Sequence, residues 1–149
     1  MLEAVLVDDE IKALQSLSWE LTNFSDEIKV VASFTDPFEA LKYLEQNPPD
    51  CLFLDIEMPT MDGFQFIQKL HNKEFPVVIT TAYNQYAIKA LKNEAIDYLL
   101  KPIDTDDLNA TIAKIKKFNS KNYTAEKLEK ILLKFNSDSL QKKITINTD

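Results

Sequence analysis

The chain has 149 residues, 45% of them hydrophobic, which suits one domain with a full core and a short appendage. A net charge of −7 (17 Lys and Arg against 24 Asp and Glu) argues against nonspecific nucleic-acid binding and against anionic membrane surfaces. No apolar run reaches membrane-spanning length, no signal-peptide pattern opens the chain, and a lone Cys51 leaves no disulfide framework, so a cytoplasmic protein is expected.

Residues 4–7 read as a buried strand, terminated by Asp8-Asp9-Glu10. Ile11, Leu14, Leu17, Leu21 and Phe24 then recur at helical spacing. Residues 28–34, rich in β-branched side chains, predict a second strand. Asp36-Pro37 is a helix start, with aspartate as N-cap and proline at the first position. Phe38, Leu41 and Leu44 form its apolar stripe, and Pro48-Pro49 stop it. Residues 51–54 are a third strand that ends abruptly in the carboxylate of Asp55. Met58-Pro59 then forces the backbone out of the strand. Gly63, the only glycine, suggests a position of positive φ. A third helix is expected over 63–70, a fourth strand over 76–80, a short helix over 85–92, a fifth strand over 96–100 and a fifth helix over 104–118. This strict alternation predicts an α/β fold with a doubly wound parallel sheet, in which ligands bind at the carboxyl ends of the strands.

Residues 119–123 are a polar break. Thr124 can N-cap a further helix whose stripe is Leu128, Ile131, Leu132 and Phe135, and residues 143–147 alternate like a half-buried strand. The expected organisation is a domain over 1–120, a linker helix over 121–138 and a tail over 139–149.

Four predicted strand ends carry polar groups: Asp8-Asp9, Asp55, Thr80-Thr81 and Lys101. Each alone could equally be a helix cap or a solvated turn; their coincidence on one sheet edge carries the weight. Carboxylates converging there repel one another unless something positive neutralises them. Oxygen ligands of this kind suit a hard divalent cation, Mg²⁺ first among them. With Lys101 as a second cation and the Thr81 hydroxyl as a neutral donor, the edge reads as a phosphoryl-accepting site.

Val7-Asp8-Asp9-Glu10, the run from Asp55 to Gly63 (Asp-Ile-Glu-Met-Pro-Thr-Met-Asp-Gly), Thr81-Ala82 and Lys101-Pro102 together resemble the signature of a two-component response-regulator receiver domain, over about residues 1–120. The resemblance implies a flavodoxin-like five-stranded parallel sheet, order 2-1-3-4-5, flanked by five helices. It implies that Asp55 accepts a phosphoryl group from the phosphohistidine of a sensor histidine kinase. Asp9, Asp55 and the backbone carbonyl of Glu57 would hold Mg²⁺, with Asp8 acting through water. Lys101 would contact a phosphoryl oxygen, the Ala82 amide would help bind it, and Lys101-Pro102 would be a cis peptide. Tyr98 resembles the family's switch aromatic, working with Thr81.

Residues 81–90 and 95–102 resemble more narrowly the receivers of LytTR-type transcriptional regulators, in which a β-rich DNA-binding domain follows. That implies a regulator truncated before this domain, meeting DNA only through the missing part and no membrane. The Tyr98 switch, with the charged residues Lys89, Lys92, Glu94, Asp97 and Asp107 near it, leads to the expectation that phosphorylation promotes a homodimer through helix four, strand five and helix five. Ala95, where glycine is common, is expected only to stiffen its loop. Glu57 and Tyr83 lie two residues beyond Asp55 and Thr81, placed to overhang the phosphoryl group and slow its loss. His71 reads as a surface residue, Cys51 as a buried small hydrophobe, and Trp19 as either packed or partly exposed. Beyond its own phosphorylation and dephosphorylation the chain is not expected to be an enzyme. The alternatives are a stand-alone receiver or pseudo-receiver serving as an interaction module, and a dehalogenase-type hydrolase. Against the last stands Glu57, where that family places a second aspartate.

Overall fold

The fold is that of a computed structural model, which describes residues 1–71, 74–122 and 132–133. Strands β1 (Leu2–Val7), β2 (Ile28–Phe34), β3 (Cys51–Asp55), β4 (Val77–Thr81) and β5 (Asp97–Leu100) alternate with helices α1 (Ile11–Leu21), α2 (Pro37–Gln46), α3 (Gly63–Lys69), α4 (Ala87–Lys92) and α5 (Thr105–Asn122). Short 3₁₀ turns at Thr22–Phe24 and Asn84–Tyr86 follow α1 and precede α4. The sheet has five strands in the order β2-β1-β3-β4-β5, all pairings parallel. This is the expected receiver-type architecture.

Alternate side chains of each central strand feed opposite faces of the sheet. Val5, Val7, Leu52, Leu54 and Ile79 meet α2 and α3 through Ala40, Leu44, Phe64, Phe66 and Ile67. Ala4, Leu6, Phe53 and Val78 meet α1 and α5 through Leu14, Leu17, Leu21, Leu108, Ile112 and Ile115. Every residue of β3 and β4 is buried. Helices therefore cover both faces, and polar chemistry is left to the strand ends.

Several local features differ from the sequence reading. Ile11 and Phe38 open their helices rather than join the packed stripe, and are 62% and 51% exposed. Gly63 does not have positive φ. Its lack of a side chain answers a close approach: a Cβ there would lie 2.7 Å from the backbone oxygen of Asp55. The positive φ falls on Glu94, at 65°. The Ala95 amide bonds back to the Ala90 carbonyl, so Glu94 is the left-handed residue that closes α4, and Ala95 needs no glycine. Helix α5 runs through the expected polar break to Asn122, because residues 105–122 hold neither Gly nor Pro to stop it. Trp19 is 69% exposed, His71 is exposed with a ring nitrogen 3.6 Å from Glu45, and Cys51 is buried, its thiol pKa pushed up by that burial.

The chain divides into two compact units, Met1–Lys116 and Lys117–Asp149, and the sheet lies wholly in the first. Apart from residues 121–122 and 132–133, the expected linker helix and tail lie outside the described residues. At the sheet edge, β2 carries a bulge: Ala4 pairs with Val30 and Val5 with Ala32, leaving Val31 extra. Such a bulge blunts an edge against further strand pairing. Among the described residues no helix is long and apolar enough to cross a membrane.

Candidate functional site

Parallel strands bring their carboxyl ends to one edge, and three of these ends build the site. Asp55 is the last residue of β3 and is 3% exposed. Asp8 follows β1, its amide donating to the Phe34 carbonyl at 3.1 Å, and is also buried. Lys101 follows β5, held by its own amide on the Thr81 carbonyl at 2.7 Å and joined to Pro102 by a cis peptide, as expected. Its Nζ donates to Asp8 Oδ2 at 2.8 Å and to Asp55 Oδ1 at 3.2 Å. The other Asp8 oxygen accepts from the Glu10 amide at 3.0 Å.

Asp9 completes the cluster. Asp8, Asp9 and Asp55 each offer one oxygen, all within 4.8 Å of one another. The Oδ1 of Asp9 is buried and has no hydrogen-bond partner among the described residues. A buried acceptor left unpaired needs an explanation, and an ion is one. Ionised, the group holds three carboxylates against one ammonium, an excess that matches a divalent cation. An all-oxygen donor set fits Mg²⁺.

The electrostatics follow. Burial drives the Asp55 pKa up from 3.8 to about 7, and the Asp8 charge adds to it. The Lys101 ammonium and the Glu57 amide oppose that rise without cancelling it. Burial works against the charge of Lys101, but its hydrogen bond to Asp8 and the charges of Asp55 and Asp8 outweigh burial and hold its pKa above the ordinary lysine value.

Thr81 is fully buried at the end of β4, and its Oγ1 accepts from the Tyr83 amide at 3.0 Å. In the sheet register it is Thr80 that stands beside Asp55. Ala82 and Glu57 are exposed. Tyr98 is half-buried on β5, packed against the core cluster that includes Ala90 and Phe64.

Two supporting features are absent from the sequence reading. Asp62 and Gln65 form a capping box at the start of α3, each side chain accepting from the other's amide, at 2.8 and 3.0 Å. The spacing D-x-x-Q was the available signal. On α5 the buried Thr111 donates to Asp97 Oδ2 at 2.8 Å, and Lys114 pairs with the same oxygen at 3.2 Å. A threonine beside Leu108, Ile112 and Ile115 in one stripe was its only mark.

The model of the response regulator receiver domain matches residues 4–113. An uncharacterized response regulatory protein of Vibrio cholerae is 41% identical over 123 residues, 82% of this chain and 52% of that protein. The transcriptional regulatory protein BtsR of Escherichia coli is 38% identical over 122 residues, 81% of this chain and 51% of that protein. The chain thus spans about half the length of the curated relatives it matches. Among solved structures, the response regulatory domain of protein mrkE from Klebsiella pneumoniae superposes with a TM-score of 0.66 at 33% identity, covering 79% of this chain and 95% of that one. The REC domain of AraT, a response regulator from Geobacillus stearothermophilus, gives a TM-score of 0.69 at 30% identity, covering 81% and 97%. With the family model matched over residues 4–113 and the same fold in solved receiver domains, the chain belongs to the response regulator receiver domain family.

Proposed function

We propose that this chain is the phosphoacceptor module of a phosphorelay, taking a phosphoryl group on Asp55 from the phosphohistidine of a sensor histidine kinase. The observation that carries this reading is a buried carboxylate at a strand end, with the Lys101 ammonium 3.2 Å away and two further carboxylates within ligand reach. An Asp55 oxygen attacks phosphorus as the P–N bond to the histidine breaks, and the bond's electron pair leaves with the imidazole. Asp55 must be ionised to attack. Lys101 faces the charge on the phosphoryl oxygens, and the Ala82 amide donates to one of them. Asp9, Asp55 and the Glu57 carbonyl, with Asp8 through water, would hold Mg²⁺, which when bound supplies charge neutralisation at the phosphoryl oxygens.

In the same reading the product charge draws the Thr81 hydroxyl from the Tyr83 amide, and Tyr98 turns into the space behind β4. Two packings of the face formed by α4, β5 and α5 result, and phosphorylation biases between them. The favoured packing pairs with a second copy through that face. The name of the relative BtsR, a transcriptional regulatory protein, supports a role in transcription. In this reading the role is exercised in the cytoplasm through a LytTR-type DNA-binding domain, the type that residues 81–90 and 95–102 resemble. Apart from gaining and losing its own phosphoryl group, the chain catalyses nothing.

Intact-mass spectrometry after incubation with acetyl phosphate and Mg²⁺ tests the proposal. One phosphoryl adduct is expected, absent with EDTA and absent in Asp55→Asn. An adduct that persists in Asp55→Asn overturns it.

A further inference from the structure

Residues 56–62 join β3 to α3, and Glu57, Pro59 and Thr60 in this loop are exposed. The loop is nonetheless tied down at both ends. Met58 and Met61 are buried in the core cluster that covers one face of the sheet. The Ile56 amide donates to the Thr80 carbonyl at 3.2 Å. The Ile56 carbonyl accepts twice, from the Met58 amide at 3.2 Å and from the Gly63 amide at 2.9 Å. The first bond wraps a three-residue turn about Glu57, whose own amide donates to the Asp55 carboxylate. The second closes the loop at the start of α3. There Asp62 has amide, carbonyl and side chain all engaged. Its carbonyl accepts from the Phe66 amide at 3.0 Å, its side chain accepts from the Gln65 amide, and its amide donates to the Gln65 side chain. Gln65 itself is exposed.

We propose that Gln65 is a positioning residue for Mg²⁺: by holding the Asp62 amide it fixes the far end of the loop whose near end carries the Glu57 carbonyl. The inference rests on the reading of Asp9, Asp55 and the Glu57 carbonyl as the Mg²⁺ ligands. A carboxylate turns toward a cation about its own side-chain bonds. A backbone carbonyl is aimed only by the φ and ψ angles around it, so its direction is set by how the loop closes. Mg²⁺ demands near-octahedral ligands and tolerates little error in that direction. A loop that holds its closed form for part of the time lowers the affinity by that fraction. Gln65 carries no charge and bonds to Asp62 rather than to a candidate ligand, so its effect reaches the ion through the loop.

Amide-resolved NMR of the ¹⁵N-labelled chain, titrated with MgCl₂ at constant ionic strength, reads the Mg²⁺ Kd without any phosphoryl donor. Gln65→Ala is expected to raise that Kd about two- to tenfold, the range a lost cap accounts for. Gln65→Met, which keeps the length without the acceptor, should match it and serves if the alanine variant does not fold. Gln65→Glu, which restores the acceptor, should bind as wild type does. So should Gln68→Ala, exposed on the same helix and outside the box. Urea unfolding in EDTA reads the stability of each variant separately. A role confined to helix stability lowers the urea midpoint and leaves the Kd of the folded chain unchanged, and that outcome overturns the proposal. A Kd raised as much in Gln65→Glu as in Gln65→Ala overturns it too. A wild-type chain whose amides do not shift with MgCl₂ overturns the Mg²⁺ reading instead, and this one with it.

Discussion

Asp55 is a carboxylate whose surroundings resist its charge, and that has a measurable cost in stability. Its pKa stands at about 7 in the folded chain against 3.8 for an ordinary aspartate. The folded state therefore binds more protons than the unfolded one between these values. The resulting stability is fully present below about pH 3.8 and is lost as pH rises through about 7. Lys101, with its pKa raised, contributes nothing to the slope in that window, since it stays charged throughout. In EDTA, wild type should thus lose stability relative to Asp55→Asn as pH rises from 4 to 8, by a few kcal/mol at most at about 1.4 kcal/mol per pKa unit. Thermal unfolding across that pH range checks it, and a constant difference between the two proteins would contradict it. Gly63 offers a second residue-scale test. A methyl group there meets backbone rather than a flexible side chain. Gly63→Ala should cost about 1–3 kcal/mol in urea unfolding, despite the lower chain entropy that alanine brings to the unfolded state. Unchanged stability would mean that the close approach relaxes freely.

At the scale of elements, the strands and helices were legible because the two periodicities differ sharply and because each strand ends in a polar residue or is followed at once by one. Asp36 caps α2 as its sequence announces, accepting from the Phe38 amide at 2.9 Å. What was not legible depended on through-space neighbours. The left-handed residue at the end of α4 is a glutamate, which carries no sequence mark of its own. Gly63 looked conformational and proved steric, because the atom it makes room for lies eight residues earlier in the chain. The site residues on the sheet edge were legible; that the Thr81 hydroxyl rests on the Tyr83 amide was not, since nothing in the sequence fixes a rotamer. Thr111 shows the same limit. Its hydroxyl is fully buried and meets Asp97 across the α5–β5 contact. Thr111→Val keeps the shape and removes the donor, so among the described residues Asp97 retains Lys114 and the Tyr98 amide. A loss of about 1–2 kcal/mol in urea unfolding is expected. A variant as stable as wild type would show that the hydrogen bond only replaces one to water.

For the whole molecule, the proposed function requires that a charge added at one sheet edge alter the face formed by α4, β5 and α5. That face carries Lys89, Lys92, Glu94 and Asp107, charges of both signs that can pair across a two-fold axis, while Asp97 is held within the chain by Thr111 and Lys114. Light scattering should show the mass double when beryllofluoride and Mg²⁺ are added, and Tyr98→Ala should weaken that response. A mass that stays constant across a wide concentration range would count against the dimer and leave the acceptor chemistry untouched. The identity of the acceptor is read by borohydride trapping. Reduction of an aspartyl phosphate yields homoserine at the phosphorylated position alone. After acetyl phosphate and Mg²⁺, peptide mapping of the reduced chain should find homoserine at position 55 and nowhere else. Homoserine at position 8 or 9, or an unmodified residue 55 in a chain that carries the phosphoryl group, would contradict the account.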